Sequence, residues 1–169
     1  MGLVQIATNT VTSQVASVVL TGIDADTPYL YTFNNVVNAG DGRQLTFRVT
    51  ASGTGKSTSD YDQAFNTMST NGSGNQANAN ISAWLDNEYS SGNGTGESDN
   101  GIFYCHNFNS SSEYSAVTFE TVKLQLTPYL AGLSGGGVYT VAESHDGIEA
   151  RFSDGSHFAK GTFTLYKVV

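Results

Sequence analysis

The closing segment of the chain, residues 147–169, alternates between apolar and polar side chains with the two-residue period of a β-strand. The inward positions of two successive strands are Ile148, Ala150, Phe152, Phe163 and Leu165. Between the two strands, residues 153–156 have the Ser-Asp-Gly-Ser composition of a tight turn. This pattern predicts a β-hairpin that ends the protein inside its own sheet, as in a closed sandwich or barrel.

The same alternation recurs earlier in the chain. Leu45, Phe47 and Val49 alternate with Thr46 and Arg48, and the charged arginines of this strand should face solvent. Further strands are predicted over residues 15–20, 29–37, 101–108, 114–126 and 137–142. We expect these side chains to point into a core: Leu45, Phe47, Val49, Ile102, Tyr104, Phe163 and Leu165.

Roughly ten strands at about 8 to 12 residue spacing, with no helical period between them, predict an all-β fold. The specific expectation is one antiparallel β-sandwich with jelly-roll-like connections over residues 1–169. Residues 1–13 suit a first edge strand or an N-terminal arm. Residues 69–100 are almost entirely polar and predict a long loop, which the apolar island at residues 81–85 would pin to the sandwich.

Composition narrows the classes of partner. The formal net charge is -8 at pH 7, so no basic stripe is available to hold a phosphate backbone. No apolar run reaches the length of about 18 residues that a membrane-spanning helix needs. We therefore predict binding neither to nucleic acid nor to a membrane.

Residues 53–57, Gly-Thr-Gly-Lys-Ser, match the end of a phosphate-binding P-loop. That motif needs another glycine five residues before Gly55, and Thr50 occupies the position. Since the acidic chain would also repel a triphosphate, we interpret the segment as a hairpin loop. No cofactor is predicted.

Candidate metal and catalytic residues show no productive spacing. His106, His145 and His157 lie far apart in the sequence, so a zinc site would need three separate segments. Three carboxylate pairs suit the oxygen preference of calcium but are more typical of solvated turns: Asp24 with Asp26, Asp60 with Asp62, and Glu97 with Asp99. The single cysteine, Cys105, is interpreted as a buried structural thiol. We predict no catalytic, cofactor-binding or metal-binding residues and no enzymatic activity.

Aromatic residues in the polar middle of the chain raise one further class of function. Trp84 and Tyr89 lie where stacking platforms for sugars are often found. A single tryptophan supports a glycan site only weakly, because aromatic side chains also fill sandwich cores.

Three segments resemble a group of small β-rich virion proteins of tailed phages of aquatic bacteria, cyanophages among them. The segments are residues 18–23 leading into the strand at Tyr29, residues 96–102 leading into Phe108 and Asn109, and residues 161–166. The resemblance implies a jelly-roll virion structural protein of the capsid decoration or cement type. It supplies no catalytic residues.

From this resemblance we expect a homotrimer that binds the major capsid protein or another virion protein. Its location would be the virion, assembled in the host cytoplasm. The alternative is a tail- or fibre-associated adhesin domain that binds host surface glycans.

Overall fold

The computed structural model describes residues 2–85, 90–126 and 129–169, together with the backbone but not the side chain of Leu85. All regular structure in these residues is β-strand. The strands are β1 Leu3–Val11, β2 Ser17–Thr21, β3 Tyr29–Asn38, β4 Leu45–Ala51, β5 Thr54–Gly55, β6 Tyr61–Ser69, β7 Gly72–Ile81, β8 Trp84–Leu85, β9 Asp99–His106, β10 Ser115–Leu124, β11 Leu130–Tyr139, β12 Gly147–Phe152 and β13 Phe158–Val168.

Two antiparallel sheets pack face to face. The large sheet has eight strands in the order β1-β13-β3-β9-β10-β11-β6-β7, and the small sheet has the order β2-β12-β4-β5 with β8 also paired to β4. This arrangement confirms the predicted all-β antiparallel sandwich. The order does not confirm jelly-roll connections, because β9, β10 and β11 are sequential neighbours in one sheet.

The core is dominated by aromatic side chains from both sheets. Phe47 of the small sheet lies at its centre, with its ring centroid 4.5 Å from Phe103, 5.0 Å from Phe33 and 6.0 Å from Tyr31. Leu45 and Val49, its neighbours on the inner face of β4, are also buried, as predicted. Edge-to-face ring pairs of this kind add to the hydrophobic gain of burial.

The predicted C-terminal hairpin is wrong. β12 pairs with β2 and β4 in the small sheet, whereas β13 pairs with β1 and β3 in the large sheet. Residues 153–157 therefore cross between the sheets, and the rings of Phe152 and Phe158 meet across the core at 4.8 Å. A turn between two alternating strands has the same sequence pattern whether the strands pair side by side or face each other, so the pattern alone favoured the commoner hairpin.

The predicted inward positions of β9 are also wrong. Phe103 and Cys105 are buried, whereas Tyr104 is 41% exposed and Ile102 is half-buried. Residues 102–105 form a continuous apolar run, so the sequence carries no alternation that fixes which face points inward. The inward positions Phe163 and Leu165 of β13 are confirmed as buried.

Among its described residues, the predicted loop at residues 69–100 contains β7, β8 and the first two residues of β9. β7 forms a hairpin with β6 and closes one edge of the large sheet, while β8 pairs with β4. Nearly every side chain of β7 is exposed, so its sequence shows no polar and apolar alternation and only backbone pairing makes it a strand. At the opposite edge, β1 pairs with β13, so residues 3–11 form an edge strand and not a free arm.

Candidate functional site

The segment that resembles a P-loop forms a tight hairpin between β4 and β5. Thr50 pairs with Gly55 and Ala51 pairs with Thr54. The two residues between them, Ser52 and Gly53, have φ angles of 51° and 71°, as a type I′ turn requires. This geometry confirms the interpretation as a hairpin loop.

Trp84 does not form a stacking platform. Its side chain is 0% exposed, and its ring lies 5.1 Å from Tyr61 of the large sheet in an edge-to-face contact. The indole therefore spans the space between the sheets and fills core volume. Tyr89, the other predicted platform residue, lies outside the described residues.

The predicted metal-ligand candidates are not brought together. Within residues 2–85, 90–126 and 129–169, no group of three or more His, Cys, Asp or Glu side chains could hold a metal ion. Protein donors hold several of the carboxylates in the three acidic pairs considered for calcium. Asp24 accepts hydrogen bonds from Tyr29 and Lys167, Asp62 accepts one from the Asn80 amide, and Glu97 accepts one from the Gly94 amide.

Cys105 is a buried free thiol, as predicted. Its side chain is enclosed within the core, and burial raises the pKa of the thiol. A thiol that stays protonated is a poor nucleophile, so the structure supports a packing role.

A chain of polar side chains that the sequence analysis missed runs inward from the hairpin loop. Lys56 Nζ lies 3.0 Å from Glu143 Oε1, which in turn lies 3.4 Å from Nε2 of His145. On the other side of the imidazole, Nδ1 is 2.7 Å from the hydroxyl of Ser115. Serine, histidine and a carboxylate thus stand in line, in the residue types of a catalytic triad.

Burial shields the Ser115 and His145 side chains from any substrate. Ser115 is 0% exposed and His145 is 1% exposed, and the rings of Tyr139 and Phe108 enclose the imidazole. A nucleophile must contact the substrate, and this hydroxyl has no surface from which to do so. The hydrogen bond between Ser115 and His145 fixes the loop that precedes β12 against β10.

The free energy of unfolding should fall as pH drops below about 6.5, because His145 is protonated more easily in the unfolded chain than in the native protein. Burial lowers the pKa of the imidazole below its usual 6.5, although Glu143 opposes the shift. The unfolded chain therefore binds one more proton than the native protein between pH 6.5 and the native pKa, and stability falls by up to about 1.4 kcal/mol per pH unit as pH drops through this window. Urea unfolding from pH 8 to pH 5 measures this slope.

The matched variant for that measurement is His145→Gln, which removes the titrating group. Its stability should vary less over the same window than that of the wild type. An equal slope in the two proteins would assign the pH dependence to other groups.

A second buried polar cluster lies beside the core at the ends of β9 and β10. Lys123 and Asp99 are opposite each other in the register of β9 and β10, with Lys123 Nζ 3.1 Å from Asp99 Oδ1. Ser91 donates a hydrogen bond to Asp99 Oδ2 at 2.6 Å and accepts one from Lys123 Nζ at 3.1 Å. The Asn38 amide donates to the Ser91 carbonyl and holds this residue in place.

The sequence carried a signal for this cluster. Along β10, Lys123 is in phase with the inward-facing residues Val117 and Phe119. A lysine at a core-facing position demands a buried partner, because an unpaired charge is costly there. The strand was predicted from its apolar residues alone, so Lys123 was not identified as a buried residue.

The outward side of the large sheet presents three rows of side chains, all exposed or half-buried except Leu30 and Thr164. Its central row crosses all eight strands in register: Thr8, Thr164, Thr32, Ile102, Glu120, Ser134, Asn66 and Asn75. The row on one side is Gln5, Tyr166, Leu30, Tyr104, Thr118, Gly136, Ala64 and Ala77. The row on the other side is interrupted by a register shift between β3 and β9 and consists of Thr10, Thr162 and Asn34, then Asn100, Val122, Gly132, Met68 and Ser73.

We call these three rows the outer face. Only Glu120 carries a charge among them, although the chain as a whole has 22 acidic and basic residues. The outward side of the small sheet differs, since Arg48, Glu149 and Arg151 lie there side by side. Charged side chains are thus sparse in these three rows, whereas three of them lie together on the outward side of the small sheet.

A groove of about 560 Å³ crosses the middle of the outer face. Tyr104 lines it with an exposed ring, and Thr118, Glu120 and Ser134 add hydroxyl and carboxylate groups. This combination of a flat ring and polar groups is able to stack against a sugar ring and bond to its hydroxyls.

Comparisons of the chain with family models, curated proteins and solved structures found no match. Among the described residues, no helix has the length and apolar character needed to cross a membrane.

Proposed function

We propose that this protein is a virion structural protein of the capsid decoration type, which stabilises a shell by packing its outer face against neighbouring subunits. The observation that carries the proposal is the outer face itself, which is open, eight strands wide and almost uncharged. The sequence resemblance to phage virion proteins supplies the kind of particle. The expected partner is the major capsid protein or another virion protein, with a homotrimer as the expected assembly.

The size of the outer face suits a specific protein contact. Eight strands at about 4.8 Å spacing and three rows at about 7 Å give on the order of 800 Å². A stable protein interface of standard size buries about 800 Å² on each partner. One outer face is therefore large enough to form a complete interface.

The charge distribution also favours the outer face as the contact surface. Charged residues are depleted at the centres of protein interfaces, because burying them costs solvation energy. The outer face offers threonine, asparagine, tyrosine and small residues, which form hydrogen bonds without that cost. Many such contacts repeated over a lattice sum to a large stabilisation of the shell.

The decisive experiment compares purified particles with and without this chain. Particles that lack it should assemble but release their contents at a lower temperature. Adding back the wild-type protein should restore the original rupture temperature, because binding only to the assembled shell stabilises it by mass action. Equal robustness with and without the chain would contradict the decoration role.

Two substitutions of one type locate the contact. Thr118→Lys places a charge in the middle of the outer face, whereas Thr54→Lys places the same charge on an exposed position of the small sheet. The first variant should lose at least about tenfold in binding to the shell, which corresponds to about 1.4 kcal/mol. The second variant should bind like the wild type, and the reverse pattern would move the interface to the small sheet.

The groove at Tyr104 favours a second candidate, a tail or fibre adhesin that binds host surface glycans. Its exposed ring and the adjacent Glu120 carboxylate are the observation behind it. Under this alternative, particles without the chain stay robust but fail to adsorb to host cells. Tyr104→Ala particles should then lose adsorption while keeping their rupture temperature.

A further inference from the structure

We propose that Lys123 and Asp99 condense to an intramolecular amide bond that covalently links β9 to β10, with Ser91 as the proton relay. The three side chains contact one another and are almost fully buried, at 3%, 1% and 1% exposed respectively. This inference is independent of the proposed function, because it depends only on these contacts.

The two reacting groups are already in contact. Nζ of Lys123 lies 3.1 Å from Oδ1 of Asp99, and the two residues are direct neighbours in the strand register. Nζ contacts Oδ1 as an ion pair, and among the described residues Oδ1 accepts no hydrogen bond from another group. Distances near 3 Å between reacting groups give large effective concentrations in intramolecular reactions.

Burial favours the neutral product. Two opposite charges in a site of low polarity have lost the solvation of water, and their mutual attraction repays this loss only partly. Condensation replaces the charged pair by one neutral amide and releases water.

Ser91 connects the two reacting groups through hydrogen bonds that run in one direction. Lys123 Nζ donates to the Ser91 hydroxyl, and this hydroxyl donates to Asp99 Oδ2. A proton can therefore pass from the amine to the hydroxyl while the hydroxyl proton passes to Oδ2. This transfer converts the ammonium and carboxylate into an amine and a carboxylic acid.

The bond-forming step balances without any other reactant. The Nζ lone pair attacks Cγ of Asp99, and a second proton passes through Ser91 to Oδ2. The Cγ–Oδ2 bond then breaks and Oδ2 leaves as water. The product retains Oδ1 as the amide carbonyl and one hydrogen on Nζ, so the three ammonium protons and the net charge of zero are accounted for.

The test is the intact mass of the full-length wild-type protein, followed by a tryptic digest under denaturing conditions. The cross-link should lower the mass by one water, about 18 Da. Trypsin cleaves after lysine and arginine, and Lys123 is the only such residue between Lys56 and Arg151. Because an acylated lysine is not cleaved, the linked protein should yield one peptide spanning residues 57–151, whereas the linear chain yields 57–123 and 124–151.

Each outcome decides the proposal. An unchanged mass with cleavage at Lys123 after long incubation of the folded protein would overturn it. A mass loss with cleavage at Lys123 would also overturn it, because dehydration at Asp99 to a succinimide leaves the lysine free. Protein kept unfolded in urea should show neither change, since the geometry exists only in the fold.

Two variants separate the roles of the residues. Lys123→Arg keeps the positive charge but removes the amine nucleophile. The mass of this variant should therefore equal the mass calculated from its sequence, with no loss of water. Ser91→Ala removes the relay and should slow the mass loss at least tenfold in a time course after refolding. If Ser91→Ala reacts as fast as the wild type, the cross-link stands and the relay role is excluded.

Discussion

Replacing Phe103 with alanine is expected to lower the free energy of unfolding by about 3 to 5 kcal/mol. Phe103 is 0% exposed, and its ring contacts Phe47 at 4.5 Å and Phe119 at 5.4 Å in edge-to-face pairs. Removing the ring leaves a cavity at the centre of the sandwich, where strands of both sheets prevent collapse. Urea unfolding followed by far-ultraviolet circular dichroism measures the change.

Tyr104→Ala is the matched control, because the adjacent side chain points to the opposite face of β9. Tyr104 is 41% exposed, so its removal should cost well under half as much as the loss of Phe103. The two variants together test the inward phase of β9, which the sequence did not determine. Similar costs for both would contradict the assignment of Phe103 to the core and of Tyr104 to the outer face.

Trp84→Ala should also cost about 3 to 5 kcal/mol. The indole contacts Tyr61 and Phe108 and lies directly against Gly137 of β11, where an added Cβ would come within 2.6 Å of Cδ1. It therefore links β8 of the small sheet to β6 and β11 of the large sheet. Circular dichroism is the appropriate probe, because the variant has lost the single tryptophan.

Met68→Ala provides the control for this second variant. Met68 lies on β6 and is 57% exposed, so its truncation should change stability by no more than about 0.5 kcal/mol. Native wild-type protein should also show a blue-shifted tryptophan emission that acrylamide quenches poorly. Emission typical of a solvated indole would restore the stacking-platform interpretation.

The candidate surfaces were only partly predictable. Alternation placed Thr162, Thr164 and Tyr166 opposite the core-facing residues of β13. The outward residues of one strand do not show which other strands lie beside it, so the eight-stranded outer face was not predictable. The Ser115–His145 and Ser91–Lys123 contacts join residues about 30 positions apart, and no local pattern brings such residues together.

What the sequence determined by itself was local. The alternation at Leu45, Phe47 and Val49 determined β4 and the face that points into the core, although Thr46 and Thr50 on its other face are buried as well. A hairpin loop at residues 53–57 was also predicted from local composition, whereas the type I′ turn at Ser52 and Gly53 was found only in the structure.

The tertiary structure decided how the strands combine. β12 and β13 have the same alternation in a hairpin and in an arch, and only the meeting of Phe152 with Phe158 across the core places them in different sheets. β7 has almost no apolar residues, yet pairing with β6 makes it a strand, since backbone hydrogen bonds do not depend on side-chain pattern. Pairing and sheet membership arise from contacts between distant segments, and those contacts exist only in the folded chain.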